Sequence, residues 1–277
     1  MPQEAVIISH ISSIRKVRTL RDRIRPVTGG VQIVFPAPSE GPGLLFACSV
    51  GFNARIAAQP GRNFFVTASH CSDIPGGNQE TPYAQPFPDG NSRIATEFKD
   101  PRYGNPGGLC YEGFRCRLSN ALLARYVEGV PNGFGTIART TFVRQRNGSI
   151  RINPNNPRWT VVGELGFPFE GEIVHKVGSA SGWTRGPVVI TCGDFNPEGT
   201  DIILLCQDVA QTGARGGDSG AGVFERAGPD EILLTGILWG RGTLDGEPVS
   251  VFSAMEQIEH ELGQLSTSNF EALASAQ

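Results

Sequence analysis

Gly216-Gly217-Asp218-Ser219-Gly220-Ala221-Gly222 is the stretch on which the reading of this chain turns. It sets a serine among glycines, which permit tight turns and positive φ and let backbone N–H groups approach a ligand closely. A serine hydroxyl becomes a nucleophile only beside a base, and the base needs a third group to orient it. The meaning of Ser219 therefore depends on what the rest of the chain supplies.

Thr67-Ala68-Ser69-His70-Cys71 closes an apolar run and offers the base. Histidine first and serine last, with the orienting residue between, is the chain order of a two-barrel β fold, not that of the subtilisin or α/β-hydrolase arrangements. A nucleophile elbow of the G-x-S-x-G type would also need glycine where this chain has Ala221.

Composition agrees with a β fold. The 277 residues include 36 Gly and 20 Pro and are only 18% charged, which disfavours a helical bundle and points to short strands joined by tight turns. A formal net charge of -3 gives the body no attraction for nucleic acid. No apolar run approaches the roughly 18 residues of a membrane span. The apolar patch Ala5 to Ile8 is too short for a signal peptide, and basic residues follow it instead of preceding it. Six cysteines without a C-x-x-C pair, among four scattered histidines, fit disulfides and an oxidising compartment better than zinc. No metal and no cofactor are expected.

Along the chain, residues 1–28 form a basic segment in which Ile11, Ile14, Val17, Leu20 and Ile24 recur at helical spacing, with Arg15, Lys16, Arg18, Arg21, Arg23 and Arg25 around them. The expectation is a basic amphipathic arm: a helix packed on the body, a pro-segment, or a contact for a partner or a membrane surface. Strands are expected at Val31 to Phe35, Leu44 to Phe52, Asn63 to Ala68, Ser92 to Phe98 and Ala121 to Val127. They form a first β unit over residues 29–145, with the crossover near Pro131 to Pro157, within which Thr136 to Arg144 is a further candidate strand. A second unit over 146–264 takes strands at Thr160 to Leu165, Glu172 to Lys176, Pro187 to Cys192, Ile202 to Gln207, Gly220 to Glu225, Ile232 to Trp239 and Val249 to Phe252. A helix capped by Ser253 and stopped by Gly263 follows. Residues 265–277 read as a disordered tail.

The two motifs resemble those of chymotrypsin-like serine peptidases: Thr67-Ala68-Ser69-His70-Cys71 is similar to the histidine motif, and Gly217-Asp218-Ser219-Gly220 to the serine motif. Gly182-Trp183 and Ile237-Leu238-Trp239-Gly240 add to the likeness, which spans Gly29 to Gly263 and is nearest the bacterial, streptogrisin-type branch. The resemblance implies an all-β double six-stranded antiparallel barrel with a C-terminal helix. It implies a secreted endopeptidase acting on peptide or protein substrates, with Ser219 as nucleophile, His70 as general base, and the N–H groups of Gly217 and Ser219 as oxyanion hole. It pairs Cys48 with Cys71, Cys110 with Cys116 and Cys192 with Cys206. It makes Asp218 a structural carboxylate whose cation, in place of a freed N-terminus, would be Lys176 in Val174-His175-Lys176-Val177-Gly178.

The expected acid is where the chain departs from the pattern. Ser119-Asn120-Ala121-Leu122-Leu123 carries asparagine where the family has aspartate, a change that lowers turnover by favouring the wrong histidine tautomer. An engineered inactivation, a naturally weak or inactive peptidase that binds peptides or a partner, and an acid supplied from elsewhere, such as Asp100, are the alternatives. The flanking residues favour replacement over relocation. The resemblance places the specificity pocket at Gly213, Leu238, Trp239, Gly240, Val249 and Ser250; with no acid at its base, apolar or aromatic P1 side chains are expected.

Overall fold

The computed structural model describes residues 17–269. Its first sheet is built from Gln32–Pro36 (β1), Leu45–Ser49 (β2), Phe52–Ala54 (β3), Phe64–Ala68 (β4), Pro82–Ala84 (β5), Arg93–Lys99 (β6) and Ala121–Tyr126 (β7). Their order is β2-β1-β5-β6-β7-β4-β3. Because β2 and β3 are consecutive pieces of one bent strand, the two ends of this order meet and the sheet closes as a six-membered barrel. The bend falls at Val50-Gly51, so the expected single strand Leu44 to Phe52 is broken there. A Cβ on Gly51 would lie 2.7 Å from the carbonyl oxygens of both Gly220 and Val66, so this corner admits no side chain.

The second barrel comprises Ile173–Gly178 (β8), Gly182–Phe195 (β9), Ile202–Ala210 (β10), Gly222–Arg226 (β11), Glu231–Leu244 (β12) and Glu247–Ala254 (β13). The order β12-β11-β8-β9-β10-β13 is closed by pairing of β13 back onto β12. Strands Val27–Gly29, Asn132–Ala138 and Arg158–Glu164 extend this sheet from β12, and Arg115–Arg117 adds to β10. Asn132–Ala138, within the expected first unit, thus hydrogen-bonds to the second sheet, as do Val27–Gly29 and Arg115–Arg117. The strand allowed within the crossover at Thr136 to Arg144 is observed at Asn132–Ala138.

Burial explains the strand pattern. Every residue of β4 is buried: Phe65 packs edge-on against Tyr83 and Tyr126 at 5.6 and 5.3 Å inside the first barrel. Phe64 and Val66 face a cluster shared with Trp159, Phe224, Leu234 and Ile237 of the second sheet. Each such side chain contributes roughly 1.5–3 kcal/mol of burial, and the shared cluster fixes the cleft between the barrels.

The chain ends differ from expectation. Among residues 17–28 there is no helix: Leu20 and Ile24 are buried in irregular chain, Leu20 N–H donates to Ile150 O, and Val27–Gly29 is a strand. Their helical spacing reflects burial against the body, while Ile11, Ile14, Arg15 and Lys16 lie outside the described residues. The C-terminal helix, Met255–Leu262 (α1), is capped at Ala254, not Ser253, because the Ser253 hydroxyl is engaged with Asn120 and Gln207. Beyond it, residues 265–269 are not a loose tail: Leu265, Thr267 and Ser268 are buried and Ser266 bridges Arg55. The remaining tail residues lie outside the described part.

Candidate active site

The antiparallel register of β4 and β7 sets Thr67 opposite Leu122 and Ala68 opposite Ala121. The turn after β4 thus meets the residue before β7, with Ser69 N–H donating to Asn120 O at 3.0 Å. His70 and Asn120 face each other as a result. Asn120 Oδ1 lies 3.0 Å from His70 Nδ1 and 3.4 Å from the His70 backbone N–H. Cys48–Cys71 pins the same turn to β2.

The Ser219 loop joins β10 to β11. Asp218 is fully buried beneath it and accepts N–H groups of Ala180, Ser181 and Arg215, each at 2.9 Å. Lys176 Nζ, also buried, lies 3.2 Å from Asp218 and 2.7 Å from Ser181 Oγ. Burial alone would push the Asp218 carboxyl up, but Lys176 and the N–H donors hold it below the usual range. Ser49 of the first barrel donates from Oγ to Gly217 O at 2.8 Å and from its backbone N–H to Ser219 O at 2.8 Å; Ser179 Oγ also donates to Gly217 O. With its carbonyls so held, the loop leaves the N–H groups of Gly217 and Ser219 without an acceptor among the described residues.

His70, Ser219 and Gly217 line one cleft of about 430 Å³ whose other walls include Phe35, Phe46, Glu40 and Asp73. Burial lowers the His70 imidazole, opposed by the hydrogen bond to Asn120. Its neutral form prevails at neutral pH, and with Nδ1–H donating to Asn120 Oδ1 the free lone pair is on Nε2. That is the tautomer a general base needs.

The expected pocket residues divide. Leu238, Val249 and Ser250 are buried; Trp239 and Gly240 are half-buried, and Trp239 Nε1 donates to Gln207. Gly213 N–H donates to Gln145 O, and its Cα abuts the Arg146 backbone. The Ser250 hydroxyl is hydrogen-bonded to Thr212. None of the six lines the cleft of His70 and Ser219.

Asp100 does not reach His70. It pairs with buried Arg117 at 2.8 Å and accepts Ser69 Oγ and Gly76 N–H at 2.9 and 2.7 Å. Arg117 also binds Glu261 and Ala121 O. Sequence reading missed Arg117 and Ser49, because a buried arginine looks like a surface one, and a serine like any other, until its neighbours are known. The three disulfides join Cys48–Cys71, Cys110–Cys116 and Cys192–Cys206, and no described cysteine is free.

No protein-family model and no curated protein matches the sequence. Solved structures do. Protease A of Thermobifida fusca is 18% identical with a TM-score of 0.58, over 87% of this chain and 99% of its own. A Nocardiopsis protease has the same identity and score over 88% and 99%. Cellulomonas bogoriensis chymotrypsin is 21% identical with a TM-score of 0.53, over 87% and 99%. The chain has the chymotrypsin-like double-barrel fold. The match covers nearly the full length of each neighbour, so both barrels and the cleft between them belong to the shared fold.

Proposed function

We propose that this chymotrypsin-like chain is a serine-type endopeptidase that cleaves peptide bonds through an acyl-enzyme on Ser219. The observation that carries this reading is the convergence on one cleft of His70, oriented through Nδ1, with Ser219 and two unengaged loop N–H groups. Ser219 Oγ attacks the scissile carbonyl carbon while His70 Nε2 takes its proton. The developing oxyanion is met by the N–H groups of Gly217 and Ser219, each such donor contributing about 3 kcal/mol. The imidazolium then protonates the leaving amine, and a water molecule, deprotonated by His70, hydrolyses the ester. Three disulfides fit work in an oxidising, extracellular setting. Phe35, Ala37, Phe46 and Ala47 give the cleft an apolar wall, which suits apolar or aromatic side chains of a substrate.

Asn120 favours a second reading. It supplies only a dipole, with no charge to stabilise the imidazolium, which suits a pseudopeptidase that holds peptides or a partner without turnover. A fluorophosphonate probe separates the two. Labelling that is lost in Ser219→Ala, together with hydrolysis of a Phe-P1 peptide, supports the enzyme; absence of both in the parent and in Asn120→Asp supports the binder.

A further inference from the structure

We infer that Gln207 is a positioning residue: its buried amide brackets the Leu118-Ser119-Asn120 segment and ties it to the strand beside the Ser219 loop, which holds Asn120 at hydrogen-bond distance from His70. The inference rests on the peptidase reading of His70 and Ser219.

Asn120 has no charge with which to draw the imidazole toward it, so its place is set by what holds it. The side chain is lightly held. Beyond the 3.0 Å contact with His70 Nδ1, its other two contacts, from the His70 N–H to Oδ1 and from Nδ2 to Tyr103 Oη, are both 3.4 Å, longer than an ordinary hydrogen bond. The main chain is held more closely. Asn120 O accepts the Ser69 N–H at 3.0 Å, and the Asn120 N–H donates to Ser253 Oγ at 2.9 Å. The Ser253 hydroxyl in turn donates to Gln207 Oε1 at 2.6 Å, while Gln207 Nε2 donates to Leu118 O at 2.7 Å. One amide therefore reaches both flanks of Ser119.

The direction of these bonds follows from the chemistry of the partners. Gln207 lies on β10, wholly withdrawn from water, as is Ser253. An indole N–H only donates and a backbone carbonyl only accepts. Trp239 Nε1, at 2.8 Å, must therefore face Gln207 Oε1, and Leu118 O and Leu205 O, both at 2.7 Å, must face Nε2. With Oε1 so placed, the Ser253 hydroxyl spends its proton on Gln207 and keeps a lone pair for the Asn120 N–H. A reversed amide would set N–H against the indole donor and oxygen against two carbonyls, leaving buried groups without partners. Trp239 follows Leu238 on β12, whose N–H donates to Ala221 O at 2.9 Å and whose O accepts the Gly220 N–H at 2.7 Å. Gln207 thus spans from the partner of His70 to the strand against which the Ser219 loop is set.

The test uses Ser253→Ala, Gln207→Met and the double variant, with kcat expressed per folded molecule and the His70 Nδ1–H proton resonance as a readout that needs no turnover. Each single variant should lower kcat by about tenfold or more, with KM within about twofold, and weaken the Nδ1–H resonance, because Asn120 Oδ1 moves away from the ring. The double variant should lose little more than Gln207→Met alone, since both act through one chain of bonds, and Ser253→Thr should keep most of the parental activity. A loss of stability alone, with kcat per folded molecule and the Nδ1–H resonance as in the parent, would overturn the inference. So would losses that multiply in the double variant, or a parent without that resonance. Should Gln207→Met fail to fold, Ser253→Ala against Ser253→Thr decides by the same two readouts. If neither the parent nor Asn120→Asp hydrolyses peptide or takes the probe, the peptidase reading fails, and the Nδ1–H resonance still decides the role of Gln207.

Discussion

Lys176 Nζ and Asp218 Oδ2 stand 3.2 Å apart with both side chains withdrawn from water. The pair ties β8 to the loop that carries Ser219. Burial lowers the Lys176 ammonium and Asp218 opposes that. Removing one partner leaves the other charged and buried, at a cost of about 3–5 kcal/mol. Lys176→Met should therefore lower stability by that amount in urea unfolding and abolish probe labelling of Ser219. Unchanged labelling would mean that the loop holds its shape without the pair.

Asn120→Asp should raise kcat and move the acidic limb of the pH–rate profile upward. With asparagine, the His70 imidazole is lowered by burial and its one polar partner is neutral. A carboxylate at the same 3.0 Å would stabilise the imidazolium and raise its pKa. In chymotrypsin-like triads the reverse change costs about 10⁴ in kcat, through the wrong tautomer. Because Asn120 already presents its oxygen to Nδ1, the gain here should be smaller, about 10 to 10³-fold, measured as kcat on a Phe-P1 peptide. A gain of the full size would show that the asparagine amide is rotated in solution.

The P1 preference is checked with the same assay. The cleft of His70 and Ser219 has an apolar wall in Phe35, Ala37, Phe46 and Ala47, with Glu40 and Asp73 also lining it. A Phe-P1 peptide should exceed its Arg-P1 counterpart in kcat/KM by about tenfold or more. Equal rates would mean that Glu40 or Asp73 of the cleft meets the P1 cation.

What the sequence disclosed followed from local chemistry. Apolar runs bounded by Gly- and Pro-rich turns marked most barrel strands, several of them buried along nearly their whole length, and the glycines around Ser219 marked a tight loop. What it concealed depended on distant neighbours. Leu20 and Ile24 repeat at helical spacing, yet they fill gaps in the body as irregular chain. The short strands Pro82–Ala84 and Arg115–Arg117 have too few residues to display a period. Ser253 carries a helix-cap signature, but the Asn120 N–H and Gln207 claim its hydroxyl. Asp100 looked like a substitute acid; only the fold shows it spent on Arg117 and Ser69.

Gly220→Ala should unfold the loop without touching a reacting group. Gly220 has φ +83°, and a Cβ there would lie 2.1 Å from Thr67 Oγ1 and 2.6 Å from Ser49 O. The first barrel would have to withdraw from the Ser219 loop, breaking the Ser49 N–H to Ser219 O bond. A left-handed backbone and overpacking each cost about 1–3 kcal/mol, so thermal unfolding should shift down clearly and probe labelling should fall with it. A variant with parental stability and labelling would show that the two barrels can separate freely at this point.

Asp208 supplies a pH signature of stability independent of catalysis. It is buried, Oδ1 accepts the Cys192 N–H at 3.1 Å, and Oδ2 has no partner among the described residues. Burial pushes its carboxyl from 3.8 up to about 6. A raised acid binds its proton more tightly in the folded chain than in the unfolded one, so its stabilising effect is complete below the unfolded value and is lost as pH rises through about 6. Asp208→Asn removes that titration. The melting temperature of the variant relative to the parent should therefore be higher at about pH 8 than at about pH 4. The difference should change mainly between the unfolded value and about 6. A pH-independent difference would mean that Asp208 has a cationic or donor partner in solution that relieves its burial.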